Sequence, residues 1–366
     1  MRVVFVTNMP APYRIATLNR VAEQLGEEFL VIFCTRKEAN RDWNVPPMSF
    51  QHLFLKENVY LKKDQTTFVH NNPDVRQHLK RFNPDVVITG GFNPTMLYAF
   101  LFCLFKKRKH ICLTDSWQLL EDSLSGVHKL VRKIVYRFSA SFICCSQKGK
   151  KYLQSFNIDP RSIFISPLTI DLNKFSTNKN FHTRQFDLLF SGRFVESKNP
   201  DFFIRVAEKL KQNNDNIKVC LMGDGPMRNK LLDQLNSLGI NFTFAGFISQ
   251  EELPGYYSSS KVFLFPTSFD AWGVVAHEAL ASGTPVMISP YAGCSDELVI
   301  NEHDGYVLPL EEDLWAEYAI RILNDEVRWQ AFSENAKKIA SLFDHIAAAK
   351  SFVDACEFAF IKRHRK

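Results

Sequence analysis

The sequence predicts an α/β protein made of two Rossmann-like domains facing each other across a cleft. Short apolar runs alternate with longer amphipathic ones along the chain, the pattern of parallel sheets covered by helices. The short runs are rich in Val, Ile, Leu and Phe without strict alternation, as strands buried on both faces are. The 366 residues exceed what one compact domain usually holds, so two domains are expected.

In the first half the expected strands are Arg2–Thr7, Phe29–Cys34, Asp85–Thr89, His110–Thr114, Ser141–Ser146 and Ile163–Ser166. In the second half they are Phe186–Ser191, Ile217–Met222, Asn241–Ala245, Lys261–Pro266, Thr284–Ile288 and Gly305–Leu308. Helical patterns fall between them at Tyr13–Leu25, Pro94–Phe105, Val127–Phe138, Pro200–Gln212, Pro226–Leu238 and Gly273–Ser282, with two or three more after Glu311. Asp171–Gln185 is polar and reads as an interdomain linker. The expected domains are 1–175 and 176–345. Residues 346–366 form a C-terminal helix and basic tail able to pack back on the first domain.

With 46% hydrophobic and 23% charged residues, the chain has the composition of a folded protein rather than a disordered one. Its longest apolar run, Met96–Phe105, is too short to span a bilayer and ends in Lys106-Lys107-Arg108-Lys109. The apolar stretch at the N-terminus, Val3–Val6, is too short for a secretory leader. The eight cysteines form no C-x-x-C pair and sit mostly in apolar runs, as reduced core cysteines do. A cytoplasmic protein is expected, with the inner face of a membrane as a further location.

The net charge of +6 conceals an asymmetry. Residues 1–180 hold 26 Lys+Arg against 14 Asp+Glu, a balance of +12, and residues 181–366 hold 19 against 25, a balance of −6. The basic half is the one suited to an anionic acceptor or membrane surface. Its clearest segment is Val127–Phe138, with apolar residues at 127, 130, 131, 134, 135 and 138 and basic residues or histidine between them. Such a helix either lies on an anionic bilayer or is an ordinary Rossmann helix with a solvated basic face. The terminal Lys362–Lys366 run is read as an exposed charged end.

A dinucleotide enzyme would carry G-x-G-x-x-G after its first strand, but here Asn8-Met9-Pro10-Ala11-Pro12-Tyr13-Arg14 contains no glycine. Gly223-Asp224-Gly225 has Arg228 at the third glycine position, so a nicotinamide oxidoreductase is disfavoured. Ten of the fifteen glycines lie after residue 190 at expected strand ends, which puts nucleotide binding in the second domain. Nucleic acid is a poor candidate partner, because the basic residues lack an interleaved aromatic platform.

Four loops of the second half carry the candidate site. Ser191–Pro200 places Arg193 and Lys198 five residues apart between a strand and a helix marked by Asn199-Pro200. A planar guanidinium with a mobile ammonium suits a diphosphate leaving group, although solvated loop cations would look alike. Met222–Pro226 reads as a tight turn with Pro226 at a helix N1 position. Thr267–Val286 sets Asp270 in a loop and Glu278 in a helix whose leading amides, at Gly273, Val274 and Val275, would face an anion. A charge at Glu278 inside an apolar helix needs a partner, and a ribose diol offers two hydroxyl donors. His277 faces elsewhere and reads as structural or exposed. Ala292–Leu298 is expected to begin another helix and help close the pocket.

The set S-G-R-F-x-x-x-K-N, M-G-D-G-P, F-A-G-F, D-x-x-x-G-V-V-x-x-E-A-L-A-S-G-T-P-V and G-C-S-D-E-L, in this order over about residues 185–310, resembles the donor domain of the retaining family 4 glycosyltransferases, whose architecture is called GT-B. In the first half, Pro10–Arg14 and Ser166–Asp171 are similar to family members in position and general character. The resemblance implies that Arg193 and Lys198 bind the donor diphosphate beside Gly192 and Gly223, and that Glu278 binds the ribose. It implies that Asp270 touches the sugar, that Phe247 and Ile248 pack beside the base, and that Gly273, Val274 and Val275 supply amides. Asp270 stands where the family usually has Glu. Asp115 or Ser116 stands where many members have a histidine near the sugar, Asp115 being the better candidate and a turn cap its alternative role.

The expected function is retaining transfer from a nucleoside diphosphate sugar to a hydroxyl of a glycan or lipid-linked glycan. No D-x-D triplet occurs, so no metal and no cofactor are expected. A nucleotide-sugar epimerase of the same fold and a non-catalytic nucleotide-sugar binder are the competing expectations.

Overall fold

The structure is a computed structural model and describes residues 1–38, 44–61, 68–122, 124–176 and 179–361. The chain forms two compact units, residues 1–169 with 345–366, and residues 170–344. The sequence set these divisions at 175/176 and 345/346. The basic run 362–366 lies outside the described residues.

The first unit holds strands β1 (Val3–Thr7), β2 (Phe29–Phe33), β3 (Gln51–Phe54), β4 (Val59–Leu61), β5 (Phe68–His70), β6 (Val86–Gly90), β7 (Lys109–Leu113), β8 (Ser141–Cys144) and β9 (Ile163–Ile165). Seven of them form a parallel sheet in the order β3-β2-β1-β6-β7-β8-β9, and β4 and β5 pair as a separate antiparallel hairpin. The six expected strands are all present. The additional ones are short and partly exposed, so their sequences lack the apolar run that marked the others.

Two helices cover one face of this sheet. Pro12–Leu25 has proline at its start and ends at Gly26, whose φ of 57° and amide bond to the Ala22 carbonyl close the last turn. His345–Ile361 contributes Ala349, Phe352, Val353, Ala355, Cys356 and Ala359 to the core containing Phe5, Phe29 and Val31. The Phe352 ring meets Phe5 edge-on at 5.6 Å, and the Ser141 and Ser166 hydroxyls donate to carbonyls of the same helix at 2.8 and 3.0 Å. The opposite face packs Pro94–Lys106 and Gly126–Phe138 through Phe100, Val135 and Tyr136.

The second unit holds β10 (Phe186–Ser191), β11 (Lys218–Met222), β12 (Asn241–Gly246), β13 (Ser260–Phe265), β14 (Val286–Ile288) and β15 (Gly305–Val307). They form a parallel sheet in the order β12-β11-β10-β13-β14-β15. The expected helices appear as Pro200–Lys211, Arg228–Ser237 and Val274–Ala281, followed by Glu312–Leu323 and Glu326–Ser341. Both units are thus doubly wound parallel sheets, whose ligand crevices lie at the carboxyl ends of the strands where the order reverses. That point falls between β1 and β6 in the first sheet and between β10 and β13 in the second.

Three local expectations are corrected. The segment read as a linker belongs to the second unit. It contains a helical turn at Leu172–Phe175, and Phe175 is buried against Tyr257 at 6.2 Å. Arg184, also buried, donates to the Ser260 carbonyl at 2.7 Å and the Gly283 carbonyl at 2.9 Å and lies 4.6 Å over the Trp329 ring. Its polarity is that of a carbonyl-binding strap, and burial lowers the guanidinium pKa to about 9. Pro226 precedes its helix, which begins at Arg228. Ala292–Leu298 begins no helix. It is a series of turns, with bridges pairing Asp270 with Ala292 and Ser295 with Val299.

Candidate functional site

The crevice of the second unit has a rim assembled largely from backbone. After β10 the Gly192 amide donates to the Met222 carbonyl at 3.1 Å, and after β11 the Gly223 amide donates to the Gly246 carbonyl at 2.7 Å. Gly223 has a φ of 120°, and a Cβ there would sit 1.9 Å from the Gly192 carbonyl oxygen. No other residue fits that approach. Phe194 anchors the loop, fully buried between Phe190 at 5.9 Å and Phe244 at 6.0 Å. The Ser197 carbonyl accepts from the Ser268 amide at 2.9 Å and the Thr267 hydroxyl at 2.9 Å, which ties the β10 loop to the β13 loop.

On this rim Lys198 closes a one-turn 3-10 helix, Glu196–Lys198, and its Nζ pairs with Asp270 and donates to the Phe269 carbonyl at 3.2 Å. The other Asp270 oxygen accepts from the Trp272 amide at 3.0 Å, and the Asp270 carbonyl accepts from the Gly293 amide at 2.9 Å. The two residues expected at diphosphate and sugar are therefore in direct contact although 72 positions apart. Arg193 and Gly192 are partly buried in the same loop.

Gly273, with a φ of 118°, caps Val274–Ala281. The helix's first carbonyl bonds reach Gly273 from Ala276 at 3.0 Å and His277 at 3.4 Å, so the amides of Val274 and Val275 lie ahead of them at the positive end of the helix. A Cβ at Gly273 would meet Cys294 Sγ at 2.8 Å, so the loop after β14 packs tightly under this helix start. His277 is buried, with Nε2 at 3.0 Å from the Ala340 carbonyl, and belongs to the core.

Glu278 is partly buried one turn further on, and desolvation raises its pKa to about 7. The chain itself supplies the partner that the apolar helix called for. The Tyr257 hydroxyl lies 2.7 Å from Glu278 Oε2 and 3.0 Å from Ser191 Oγ. Tyr257 escaped sequence reasoning because Glu-Leu-Pro-Gly-Tyr-Tyr-Ser carries no recognisable pattern, and Ser191 stood there only as the first residue of the S-G-R-F motif. Phe247 and Ile248 follow β12 at the sheet edge, Phe247 exposed and Ile248 partly buried. Thus the structure brings Gly192, Arg193, Lys198, Gly223, Asp270, Gly273, Val274, Val275 and Glu278 to the carboxyl edge of one sheet.

Asp115 belongs to the first unit, in a crevice of about 370 Å³ at the carboxyl ends of β1, β6 and β7. Arg14 donates to Asp115 at 2.5 Å. Arg132, paired with Glu121, lies 4.2 Å over the Phe92 ring in the same wall. The sequence reading did not single out Arg14 beyond its motif, nor Phe92.

Comparison with known proteins finds family matches over both units. The model described as Glycosyltransferase Family 4 matches residues 15–174, and the model described as Glycosyl transferases group 1 matches residues 173–339. A glycosyltransferase of uncharacterised specificity from Methanocaldococcus jannaschii is 34% identical over 154 residues, covering 41% of this chain and 39% of that protein. A Campylobacter jejuni α-1,4-N-acetyl-D-galactosaminyltransferase, named for a GalNAc-containing glycan on PP-undecaprenol, is 24% identical over 60% of each chain. An Escherichia coli α-1,3-galactosyltransferase, named for UDP-Gal and α-D-GlcNAc-diphosphoundecaprenol, is 24% identical over 56% of this chain and 57% of that protein. The chain spans 39% to 60% of the length of these curated relatives.

Among solved structures, Anabaena HepE in complex with UDP superimposes with a TM-score of 0.76 at 15% identity, covering 98% of this chain and 100% of that one. Sucrose-phosphate synthase from Thermosynechococcus elongatus gives a TM-score of 0.76 at 15% identity, with 98% of each chain covered. At such identities the likeness establishes the fold, which is GT-B. The two matched stretches, 15–174 and 173–339, fall largely one in each unit and are similar to glycosyltransferase domains.

Proposed function

We propose that the protein is a retaining, metal-independent glycosyltransferase that moves a sugar from a nucleoside diphosphate sugar to a hydroxyl of a lipid-linked glycan. The observation that carries this reading is the rim of the second unit, where Arg193, Lys198 and the amides before Ala276 share one sheet edge with Glu278. In this reading the bond between the anomeric carbon and the diphosphate oxygen breaks, and the acceptor oxygen bonds to that carbon on the face the diphosphate left. The hydroxyl proton departs with the diphosphate. Arg193, Lys198 and the helix start at Gly273 stabilise the negative charge that develops on the leaving group. Lys198 reaches that position already oriented by Asp270, so the same ion pair sets both the cation and the sugar-facing carboxylate.

Two side-chain cations and a helix start supply the charge that a D-x-D metal site supplies elsewhere, and this supports metal-independent turnover. The crevice holding Arg14 and Asp115 is assigned to the acceptor. Uridine nucleotides are the first donors to test, because solved relatives of this fold bind UDP and UDP-glucose. The polyprenol diphosphate in the names of the bacterial relatives makes a lipid-linked glycan the first acceptor.

The membrane is the proposed location, reached through the first unit. Among the described residues no helix is long and apolar enough to cross a bilayer. Helix Gly126–Phe138 instead leaves Val127, Leu130, Ile134 and Phe138 exposed, and neighbouring Pro94–Lys106 leaves Leu101, Leu104 and Phe105 exposed, Phe105 by 81%. Lys106, Lys107, Lys129, Lys133 and Arg137 accompany these apolar side chains. Apolar side chains flanked by cations complement an anionic bilayer surface.

The test is a thermal-shift screen of UDP-, GDP-, ADP- and dTDP-sugars, followed by transfer to a diphosphopolyprenol-linked glycan in the presence of chelator and NMR of the product's anomeric centre. Transfer with retention supports the reading. An inverted product, or activity abolished by chelator and restored by Mg²⁺ or Mn²⁺, overturns the corresponding part. Donor turnover without acceptor would make the protein an epimerase, and donor binding without consumption a nucleotide-sugar binder. Sedimentation with anionic vesicles at low salt checks the membrane contact, and recovery of all protein in the supernatant removes it.

A further inference from the structure

Glu278 is the single carboxylate of helix Val274–Ala281, and its environment is built by residues from three other segments. Tyr257 closes Leu253–Ser258 and is fully buried, its ring held edge-on to Phe263 at 5.8 Å. Its backbone carbonyl accepts from the Thr284 hydroxyl at 2.8 Å and from Arg184 at 3.4 Å. The Arg184 guanidinium also donates to Thr284 Oγ1 at 2.6 Å. The tyrosine is thus fixed at both ends, by the buried arginine at the backbone and by Ser191 and Glu278 at the hydroxyl.

A single phenolic hydrogen serves one acceptor. Once Glu278 is ionised its carboxylate is the stronger one, so the Tyr257 hydroxyl donates to Glu278 Oε2 at 2.7 Å, with Ser191 Oγ beside it at 3.0 Å. The result is a buried hydroxyl chain through Ser191, Tyr257 and Glu278, with Ser191 the last residue of β10. Ser191 directly precedes the loop of Gly192 and Arg193, so one buried side chain ties the glutamate to the strand that launches the diphosphate loop.

We propose that Tyr257 is a positioning residue for nucleotide recognition, aiming the Glu278 carboxylate so that its remaining lone pairs accept the two hydroxyls of a ribose. The proposal rests on the reading of the second unit as the nucleotide site. A carboxylate has about four acceptor positions, and the tyrosine takes one on Oε2. Oε1 and the second lone pair of Oε2 then face a vicinal diol. Without the hydroxyl, the carboxylate loses its donor and rotates freely, and its charged form is less favoured.

The experiment measures binding of UDP, GDP and ADP, each in its ribo and 2′,3′-dideoxy forms, to the wild-type chain, Tyr257→Phe and Glu278→Gln, with donor KM and kcat for the sugar that proves active. Tyr257→Phe keeps the ring that fills the core, and its circular dichroism and melting curve check folding. The expected result is a loss of about tenfold in affinity for the ribonucleotide, the equivalent of one charge-assisted hydrogen bond, and less than twofold for the dideoxynucleotide. Donor KM should rise about tenfold with kcat within twofold, and Glu278→Gln should lose the same ribose preference. If the wild type prefers ribonucleotide and Tyr257→Phe retains that preference, or loses both forms equally, the role of Tyr257 is overturned while the nucleotide site stands. If the wild type binds none of the three nucleotides in either form, the nucleotide reading falls and Tyr257 with it.

Discussion

The two units present the same topological crevice and line it in opposite ways. In the second unit the rim is backbone bonded to backbone, with Gly192, Gly223 and Gly246 joining three strand ends through amides and carbonyls at 2.7 to 3.1 Å. In the first unit the crevice after β1, β6 and β7 is lined by side chains already in ion pairs, Arg14 with Asp115 and Arg132 with Glu121. A rim of backbone binds a ligand whose chemistry does not change, such as a diphosphate, and demands glycine wherever chains touch. A wall of side chains can be rebuilt for another acceptor without disturbing the fold. The difference teaches why the crevice of the second unit is written in motifs and that of the first is not.

The most severe way to break the contrast is Gly223→Ala. With a Cβ placed 1.9 Å from the Gly192 carbonyl and a φ of 120°, the rim must open. We expect nucleotide binding to vanish and stability to fall by about 3 kcal/mol, read by calorimetry and denaturant titration. Gly126→Ala in the first unit, where a Cβ meets nothing within 4 Å, should be close to neutral. Equal damage at both positions would remove the distinction.

Lys198→Ala comes next, since it deletes one of two cations and leaves Asp270 without its Nζ partner. The rate should drop by about 10² to 10³, with the melting temperature little changed, as for loss of one preorganised donor to a developing charge. A near-normal rate would take Lys198 out of catalysis.

Asp115→Asn tests the first unit in the same terms. It keeps the shape of the side chain but weakens the bond from Arg14, and acceptor KM should rise about tenfold while nucleotide affinity stays unchanged. A parallel loss of nucleotide affinity would mean that the two crevices do not divide the substrates.

The smallest effect is a pH dependence. Burial raises the Glu278 carboxyl from 4.5 to about 7 and the Asp304 carboxyl from 3.8 to about 7. A carboxyl whose folded pKa is raised adds stability that is complete below its ordinary value and is lost as pH climbs through 7. The ligand-free protein should therefore melt a few degrees lower at about pH 8 than at about pH 5.5, and Glu278→Gln should flatten part of that slope. Nucleotide affinity should run the other way, rising through pH 7 as Glu278 becomes an acceptor only. Parallel slopes for stability and affinity would separate Glu278 from ribose.

What was legible in the sequence is what local chemistry fixes. The twelve apolar runs all became strands, most of them buried, because a strand covered on both faces leaves little room for polar residues. Asn199-Pro200 and Asn93-Pro94 opened their helices as their fixed backbone angles require. The glycine turns and the order of the donor motifs could be read for the same reason, each being confined to a few consecutive residues. The weaker strands β3, β4 and β5 could not, since edge and hairpin strands are only half buried and read as ordinary loop. Nor could the strap at Arg184, where polarity that reads as a linker serves buried carbonyls.

By itself, then, the sequence determined the two doubly wound sheets and the glycine positions that let strand ends touch. Only the tertiary structure decided that Lys198 meets Asp270, that Arg14 meets Asp115, and that Tyr257 joins Ser191 to Glu278. Each of these pairs lies on different elements, and strand order and register set which side chains share a crevice. A carboxylate in an apolar helix announces that it needs a partner, but only the folded sheet shows which distant hydroxyl arrives.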